Sequence, residues 1–366
     1  MSNNIFVYKK IKSDSNSLLN DDLTVSNLKE SFEVLLNKLR LIRAPFSYEL
    51  FPQVVINIKW KFDYLTNIRA NPLLLIKDLI YWHEQAEMFI KFQEEEWIND
   101  KDINTDFQKI NNIEAYNFMW PKSLSKKEKF NSSKKIAELR VNQIYELSKS
   151  KFNIDPFYQN LILDSGCGPG RYVDAISKFD PKKIIGLDSG EEIIKKNKEN
   201  FQNKKISFIH GNSINLPFKD NEFDFVLSAG VLHHVNMPIE KTIPEHSRVL
   251  KDNGLFFIFL AGESGVELDV WDFCHKLFKS IPIEMVHSRY NNSINHLRLQ
   301  GILDHGFSSY FHTNRDKFES LLKMNFNKIE RVPGVQGIDV TMELFKDDEF
   351  FEQRFGSGNL RYICKK

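Results

Sequence analysis

The sequence predicts an α/β protein whose C-terminal part is a seven-stranded, mostly parallel sheet with helices on both faces. From Leu161 onward, short apolar runs alternate with amphipathic segments, which is the pattern of such a sheet. The first run, LILDSGCGPGR at 161–171, ends in an acid followed by three closely spaced glycines, as a buried strand does when it turns into a helix. Residues 26–97 instead have helical periodicity, which predicts an all-helical N-terminal module.

Length and composition restrict the classes of protein. A chain of 366 residues with 42% hydrophobic residues favours two domains, or one domain with large additions, around a substantial core. A formal net charge of +1 gives no overall attraction to nucleic acid or to an acidic membrane surface. Three cysteines suit a reducing compartment, and the longest apolar run, near Leu255–Ala261, is too short to span a bilayer. We expect a soluble cytoplasmic protein.

The N-terminal third is predicted to consist of helices without chemistry of their own. Residues 1–24 are polar and are expected to form a flexible leader. One helix is expected to end before Pro52, a second to cover Val54–Ile68, and a third to begin at Asn71, which can cap a helix with proline in its first turn. We interpret 25–134 as a helical module and connector, whose helices are candidates for a homodimer interface or for the roof of a pocket.

The C-terminal part, residues 135–366, carries the alternating elements. Its predicted strands are Leu161–Asp164, Lys183–Asp188, Ile206–His210, Phe223–Ser228, Leu255–Leu260, Lys328–Val332 and Leu360–Cys364. Its predicted helices between strands are Arg171–Phe179, Glu191–Asn200, Ile239–Leu250 and Asp316–Met324. The last two strands are expected to pair antiparallel at the sheet edge. The long interruption at 262–314 is predicted to be a cap insertion with helices near Val266–Lys279 and Ser293–Leu303.

Polar residues follow the predicted strands at the points where ligands bind in open α/β sheets. The first strand ends in Asp164, the second in Asp188, and the third is followed by Asn212 and Ser213. An acid at the end of the second strand can accept hydrogen bonds from both hydroxyls of a ribose. The dinucleotide fingerprint is incomplete, because its third glycine would fall on Arg171, and no Gly-Lys-Ser/Thr follows for a triphosphate loop. These features predict a site for a nucleoside-type cofactor.

Five stretches together resemble the class I S-adenosylmethionine-dependent methyltransferases, in particular their type 11 group. They are LDSGCGPGR, GLDSG, GNSINLPF, FDFVLSAGVLHHV and RVLKDNGLFFI, and the resemblance covers about residues 135–366. It implies a Rossmann-like sheet, the class I methyltransferase fold, and S-adenosyl-L-methionine as cofactor. The cofactor-binding residues that it implies are Asp164, Gly166, Gly168 and Gly170 for the methionine part, Asp188 and Ser189 for the ribose, Asn212, Ser213 and Ile214 for the adenine, and Ala229 and Gly230 beside the sulfonium. Asn212 departs from the acid that the family usually has there.

Methyl transfer from a sulfonium is an in-line displacement, so positioning and desolvation supply most of the acceleration. Only an acceptor that must lose a proton benefits from a general base. His233 and His234, after the fourth strand, are the candidates for a base or an acceptor contact. Tyr310 and His312, at the end of the cap insertion, are candidate acceptor contacts. The histidines of the insertion have spacings that match no compact metal motif, so no metal site is expected.

The function predicted from the sequence is methyl transfer from S-adenosylmethionine to a small-molecule acceptor. One alternative is an RNA (tRNA) methyltransferase, which the VLHHV segment and a lysine-rich connector before the sheet would also fit. A further alternative is a non-catalytic, methyltransferase-like scaffold that holds a partner through its helical module. We expect neither a nucleic-acid nor a membrane partner.

Overall fold

The computed structural model describes residues 23–43, 46–94, 114–116, 118–119, 127–235, 237–263, 265–290, 296–308, 310–334 and 347–366. The expected leader at 1–24 lies almost entirely outside these residues. The chain divides into two compact units. The first, here called the helical unit, comprises Met1–Ile110, Ser264–Phe307 and Asp347–Gly356. The second, the sheet unit, comprises Asn111–Glu263, Ser308–Lys346 and Ser357–Lys366.

The seven described strands follow one another along the chain in the order that the sequence predicts, whereas helices at Ile283–Tyr290 and Phe351–Phe355 were not predicted. The helices are α1 Val25–Leu39, α2 Phe46–Asn67, α3 Ile76–Glu94, α4 Lys127–Leu147, α5 Arg171–Ser177, α6 Glu191–Asn200, α7 Ile239–Val249, α8 Val266–Phe278, α9 Ile283–Tyr290, α10 His296–Phe307, α11 Arg315–Asn325 and α12 Phe351–Phe355. The strands are β1 Leu161–Ser165, β2 Lys183–Asp188, β3 Ile206–His210, β4 Phe223–Ala229, β5 Leu250–Ala261, β6 Lys328–Arg331 and β7 Asn359–Lys365. Short 3₁₀ turns cover Pro72–Leu75 and Leu232–His234.

Side-chain caps set two of the helix starts in the helical unit. At the start of α1, the Thr24 hydroxyl accepts from the Asn27 N–H at 3.2 Å, and the Asn27 side chain accepts from the Thr24 N–H at 3.0 Å, which satisfies two otherwise open donors. The Asn71 side chain accepts from the Leu73 N–H at 2.9 Å, with Pro72 in the first turn. The start predicted at Asn71 is therefore confirmed.

The prediction that Pro52 breaks the helical pattern, with the second helix beginning only at Val54, is wrong. Helix α2 runs through it from Phe46 to Asn67. A proline inside a helix costs about 3 kcal/mol. The apolar residues on either side, such as Phe51 and Val55, are almost fully buried. Because each such side chain contributes about 1.5–3 kcal/mol on burial, continuing the helix through Pro52 keeps more stabilisation than the proline removes.

The segment predicted as a cap insertion contributes three described helices, α8, α9 and α10, to the helical unit; the sequence predicted only the first and last of them. Helix α8 packs on α1, with the rings of Phe32 and Phe273 5.1 Å apart. Lys276 pairs with Glu33 at 2.5 Å across the same contact. The N-terminal helices and this insertion therefore share one core. The role of 262–314 as a cap over the sheet stays a prediction.

The sheet unit contains a seven-stranded sheet in the order β3-β2-β1-β4-β5-β7-β6. Strands β1 to β5 are paired in parallel, and β7 runs antiparallel to both β5 and β6. The predicted mostly parallel sheet and the antiparallel pair at its edge are both confirmed. The carboxyl ends of the parallel strands meet along one edge, and the order reverses between β1 and β4, where open α/β sheets bind their ligands.

Apolar residues fill both faces of the sheet. Successive residues of a strand point to opposite faces, so Ile162 belongs to the core beneath α4 and α5, and Leu163 to the core beneath α7 and α11. The side chain of Asp164, two residues after Ile162, therefore lies on the α4–α5 face, at the carboxyl end of β1.

Candidate functional site

The turn after β1 has a backbone that only glycine adopts readily. Gly166, Gly168 and Gly170 have φ values of +90°, +48° and +76°. A Cβ atom on Gly166 would lie 2.3 Å from a methyl group of Val231, just past β4. The N–H groups of Gly166 and Cys167 both donate to the Leu187 carbonyl in β2, at 2.7 and 2.9 Å. The glycine turn is thus held against the ends of both neighbouring strands.

Asp164 is a buried carboxyl group at the start of this turn. Asp164 is 1% exposed, and its Oδ2 atom has no hydrogen-bond partner among the described residues. Burial, together with the nearby charge of Asp188, raises the pKa of Asp164 to about 8, and Arg171 opposes the rise. An unsatisfied buried carboxyl oxygen is costly, and a cationic or hydrogen-donating ligand group would relieve that cost.

Asp188, at the end of β2, is oriented by the main chain. One carboxylate oxygen accepts from the Gly168 N–H at 2.8 Å and the other from the Gly190 N–H at 2.9 Å. Burial raises the pKa of Asp188, and these hydrogen bonds counter the rise. Each carboxylate oxygen has a further lone pair, so a pair of ligand hydroxyls can still bind. The neighbouring Ser189 carbonyl accepts from His210 Nε2 at 3.1 Å.

The loop after β3 lies beside Asp188, because the Gly211 N–H donates to the Asp188 carbonyl at 2.9 Å. The Asn212 side-chain oxygen accepts from the Ile214 N–H at 3.1 Å, which closes a tight turn around the buried Ser213. Asparagine can form this turn as a carboxylate would, and its side-chain oxygen retains one lone pair. The departure from the usual acid therefore preserves the local shape of the loop.

The end of β4 leads into the two predicted histidines. The Gly230 N–H donates to the Phe259 carbonyl at 3.0 Å, and the following 3₁₀ turn carries His233 and His234. His233 is buried, and its Nδ1 accepts from the Ala261 N–H at 3.0 Å. Since a backbone N–H only donates, the proton of neutral His233 lies on Nε2, which is 2.9 Å from His234 Nε2. His234 then accepts at Nε2 and carries its own proton on Nδ1.

Tyr310 and His312 lie with this histidine pair. The Tyr310 ring stacks on His233 at 5.1 Å between centroids and on His312 at 5.8 Å, and meets the His234 ring edge-on at 4.3 Å. The Phe311 N–H also donates to the His233 carbonyl, at 2.6 Å. The four predicted catalytic and acceptor-side residues, which come from two distant parts of the sequence, thus form one ring cluster past the ends of β4 and β5.

Comparison with known proteins agrees with this geometry. Residues 163–258, from β1 to β5, match a family described as a methyltransferase domain. The chain carries a class I S-adenosylmethionine-dependent methyltransferase domain. The strand order and the antiparallel β7 are those of the class I methyltransferase fold that the resemblance implied.

Relatives of this methyltransferase domain include proteins with named acceptors. The chain is 34% identical over 129 residues to an uncharacterised protein of Methanocaldococcus jannaschii, covering 35% of this chain and 52% of that protein. It is 33% identical over 119 residues to a demethylmenaquinone methyltransferase of Staphylococcus saprophyticus, covering 32% and 50%. It is 26% identical over 232 residues to a sterol 24-C-methyltransferase of Kluyveromyces lactis, covering 61% and 59%. The chain thus spans about half the length of these curated relatives.

The residues of the methyltransferase domain fit S-adenosylmethionine. Asp164 has a buried oxygen without a partner in the described part of the chain, which suits the ammonium group of the methionine part. A Cβ atom on Gly170 would lie 2.9 Å from the Phe201 ring, so the turn has no room for a side chain at this position. Asp188 presents an oriented carboxylate to a hydroxyl pair.

Two buried residues that support the glycine turn were not predicted from the sequence. Asn197 of α6 donates to the Gly168 carbonyl at 2.7 Å. His246 of α7 donates from Nδ1 to the Thr242 carbonyl at 2.8 Å, so its Nε2 accepts from the Ser165 hydroxyl at 3.0 Å. Burial lowers the pKa of His246 to about 4, which keeps it neutral. The only available signal was a polar residue on the apolar stripe of an amphipathic helix.

The described residues contain neither a cluster of metal-binding side chains nor a membrane-spanning helix. No group of three or more histidine, cysteine, aspartate or glutamate side chains among them is placed to hold a metal ion. None of the described helices combines the length and the apolar character needed to cross a membrane.

Proposed function

We propose that the chain transfers a methyl group from S-adenosylmethionine to a small-molecule acceptor by in-line displacement. The observation that carries the proposal is the glycine turn with Asp188 hydrogen-bonded against it, because this arrangement presents main chain and a carboxylate to the two ends of one nucleoside ligand. The names of two relatives, a demethylmenaquinone methyltransferase and a sterol 24-C-methyltransferase, support small molecules as the acceptor class. A net charge of +1 gives little support to the RNA alternative, which needs phosphate-binding charge.

Each end of the cofactor has its own residues in this proposal. Asp164 and the three glycines of the turn would hold the methionine part. Asp188 and Ser189 would hold the ribose, and Asn212, Ser213 and Ile214 the adenine. Ala229 and Gly230 would lie beside the sulfur. When bound, S-adenosylmethionine supplies an electrophilic methyl group on its sulfonium, so the task of these residues is to fix its direction and exclude water.

The histidine pair suits contact with the acceptor better than proton removal. A general base needs a nitrogen lone pair directed at the acceptor. In the hydrogen-bonded arrangement, His233 Nδ1 already accepts from Ala261 and His234 Nε2 from His233. The two protons then lie on His233 Nε2, which donates to His234, and on His234 Nδ1, so neither histidine presents a basic nitrogen. We therefore propose that His233 positions His234, and that His234, Tyr310 and His312 contact the acceptor.

Histidine nitrogen shifts in protein labelled with ¹⁵N at histidine test this proposal. Between pH 7 and 8 we expect the Nε2–H tautomer for His233 and the Nδ1–H tautomer for His234, assigned with His233→Gln and His234→Gln variants. His246 is the internal control, because its contact with Thr242 fixes the Nδ1–H form. A His234 that carries its proton on Nε2 would instead have a basic Nδ1, and would restore the general-base role.

Calorimetry with S-adenosylhomocysteine tests the function itself. We expect binding to the wild-type chain, and a loss of about tenfold or more in the Asp188→Asn variant, since one charged acceptor of the ribose hydroxyls is removed. Asp180→Ala is the matched control, because Asp180 is an exposed acid of the same sheet unit, paired with Lys205. A folded wild-type chain that does not bind S-adenosylhomocysteine would overturn the enzyme assignment and favour the scaffold alternative.

A further inference from the structure

Strand β1 ends in two residues whose side chains lie on opposite faces of the sheet. Asp164 lies on the α4–α5 face, whereas Ser165 shares the α7–α11 face with Leu163, because successive residues of a strand alternate. Ser165 is fully buried and directly precedes Gly166, the first glycine of the turn. A contact that holds the Ser165 side chain therefore also determines where Asp164 points.

His246 of α7 makes that contact. The Ser165 hydroxyl donates to His246 Nε2 at 3.0 Å, and His246 Nδ1 donates to the Thr242 carbonyl at 2.8 Å. The His246 ring also packs on the Phe256 ring of β5, with the centroids 5.2 Å apart. Burial lowers the pKa of His246 to about 4, so at neutral pH the ring is uncharged and Nε2 can accept. The imidazole is thus fixed in one tautomer and one orientation.

The neighbouring strand offers a serine without such a contact. The pairing of β1 with β4 places Asp164 opposite Leu227, so the next residues, Ser165 and Ser228, are neighbours on the α7–α11 face. Ser228 is also fully buried, but its Oγ atom has no hydrogen-bond partner among the described residues. The bond to α7 therefore distinguishes β1, the strand that leads into the glycine turn.

We propose that His246 is a positioning residue for the cofactor, which holds Ser165 on one face of the sheet and thereby fixes the direction of Asp164 on the other. This inference rests on the proposed function. The Asp164 Oδ2 atom has no hydrogen-bond partner in the described part of the chain, so the backbone at the end of β1 decides where the carboxyl group points. A group that must meet a ligand in one geometry loses affinity when its support is removed.

Two adenosine ligands separate this role from a general effect on binding. S-adenosylhomocysteine carries an amino-acid group for Asp164, whereas 5′-methylthioadenosine has the same nucleoside and a thioether without that group. By calorimetry, His246→Leu should weaken S-adenosylhomocysteine binding by about three- to tenfold, the worth of one hydrogen bond, and 5′-methylthioadenosine binding by less than about twofold. His246→Gln should restore most of the affinity, because its side-chain oxygen can accept from Ser165.

A double-mutant cycle tests whether His246 acts through Ser165. Ser165→Ala should cause about the same selective loss as His246→Leu, and the double variant should lose no more than either single variant, since both remove one and the same hydrogen bond. Additive losses would show that His246 acts by another route, and would overturn the proposal. If His246→Leu does not fold, Ser165→Ala alone decides: a selective loss supports the proposal and unchanged affinities contradict it.

Ser228→Ala is the matched control. It removes a buried hydroxyl from the same face of the sheet without removing a hydrogen bond to a described residue, so it should leave both affinities unchanged. A loss equal to that of Ser165→Ala would overturn the proposal, because it would not depend on His246. Equal weakening of both ligands by His246→Leu, or no change in either, would overturn it while the function stands. Failure of the wild-type chain to bind either ligand would instead contradict the proposed function.

Discussion

Asp164 combines burial, an unsatisfied oxygen and a nearby acid, so its ionised form is unfavourable in the folded chain without ligand. Its pKa of about 8 lies above the ordinary aspartate value of 3.8, chiefly because of burial. The folded chain therefore holds this proton up to a higher pH than the unfolded chain does. The neutral Asp164 carboxyl group therefore stabilises the fold fully when the pH is below the pKa that it has in the unfolded chain. This stabilisation is lost as the pH rises through the pKa that it has in the folded chain.

An Asp164→Asn variant should show this pH dependence directly. Asparagine stays neutral, so the thermal unfolding temperature of the variant should exceed that of the wild type increasingly from pH 5 to about pH 8 and by a constant amount above it, about 3 °C or more. Differential scanning fluorimetry without ligand, recorded for both proteins in the same buffers, measures the difference. Melting curves that stay parallel across this range would mean that Asp164 is ionised in the folded chain already at pH 5.

A site residue could be predicted from the sequence only where its contacts depend on neighbouring residues of the chain. Asp164, the glycines and Asp188 are recognisable because a turn with positive φ values and an acid at a strand end leave a short pattern in neighbouring residues. His246 and Asn197 leave none. Their partners, Ser165 and Gly168, lie far along the chain, and only the packing of α7 and α6 on the sheet brings them together.

Among whole elements, strands were easier to predict than helices. Buried parallel strands are short apolar runs between turn residues, and their order along the chain follows directly. β5 is the exception, because it begins at Leu250 and includes the polar residues up to Gly254. These polar positions are largely exposed at the start of the strand, so hydrophobicity could not reveal them.

The helices of the helical unit were harder to predict, because the burial of apolar side chains there outweighs the local preference of single residues to end a helix. Pro52 is a strong local signal for a helix end, yet the apolar stripe on both sides of it keeps α2 continuous. Helix α9 has only eight residues, Ile283–Tyr290, of which Ile283, Val286 and Tyr290 are buried. So short an apolar stripe cannot be distinguished from a loop by its periodicity. Helix α9 is stabilised instead by packing against neighbouring helices.

In the molecule as a whole, three separate segments of the chain build the helical unit. The last of them, Asp347–Gly356, carries Arg354, whose Nε donates to Asp348 at 2.9 Å with both side chains almost fully buried. Arg354 also donates to the Ala70 carbonyl that follows α2. Arg354, held by its buried partner Asp348, thus joins the third segment to the first through the Ala70 carbonyl. Dimerisation through the N-terminal helices stays a prediction.

Breaking this pair should destabilise the helical unit without changing cofactor affinity. Arg354→Leu leaves Asp348 buried without its cation, which should lower the free energy of unfolding by about 3 kcal/mol. Arg289→Leu is the control, because the Arg289–Glu49 pair is exposed and should contribute about 1 kcal/mol or less. Urea unfolding measures both. The folded Arg354→Leu chain should bind S-adenosylhomocysteine like the wild type, since every proposed cofactor residue belongs to the sheet unit.

A double variant, Arg354→Leu with Asp348→Leu, should recover part of the lost stability, because it also removes the unpaired buried charge of Asp348. Equal, small losses in Arg354→Leu and Arg289→Leu would show that the buried pair contributes no more to stability than the exposed one.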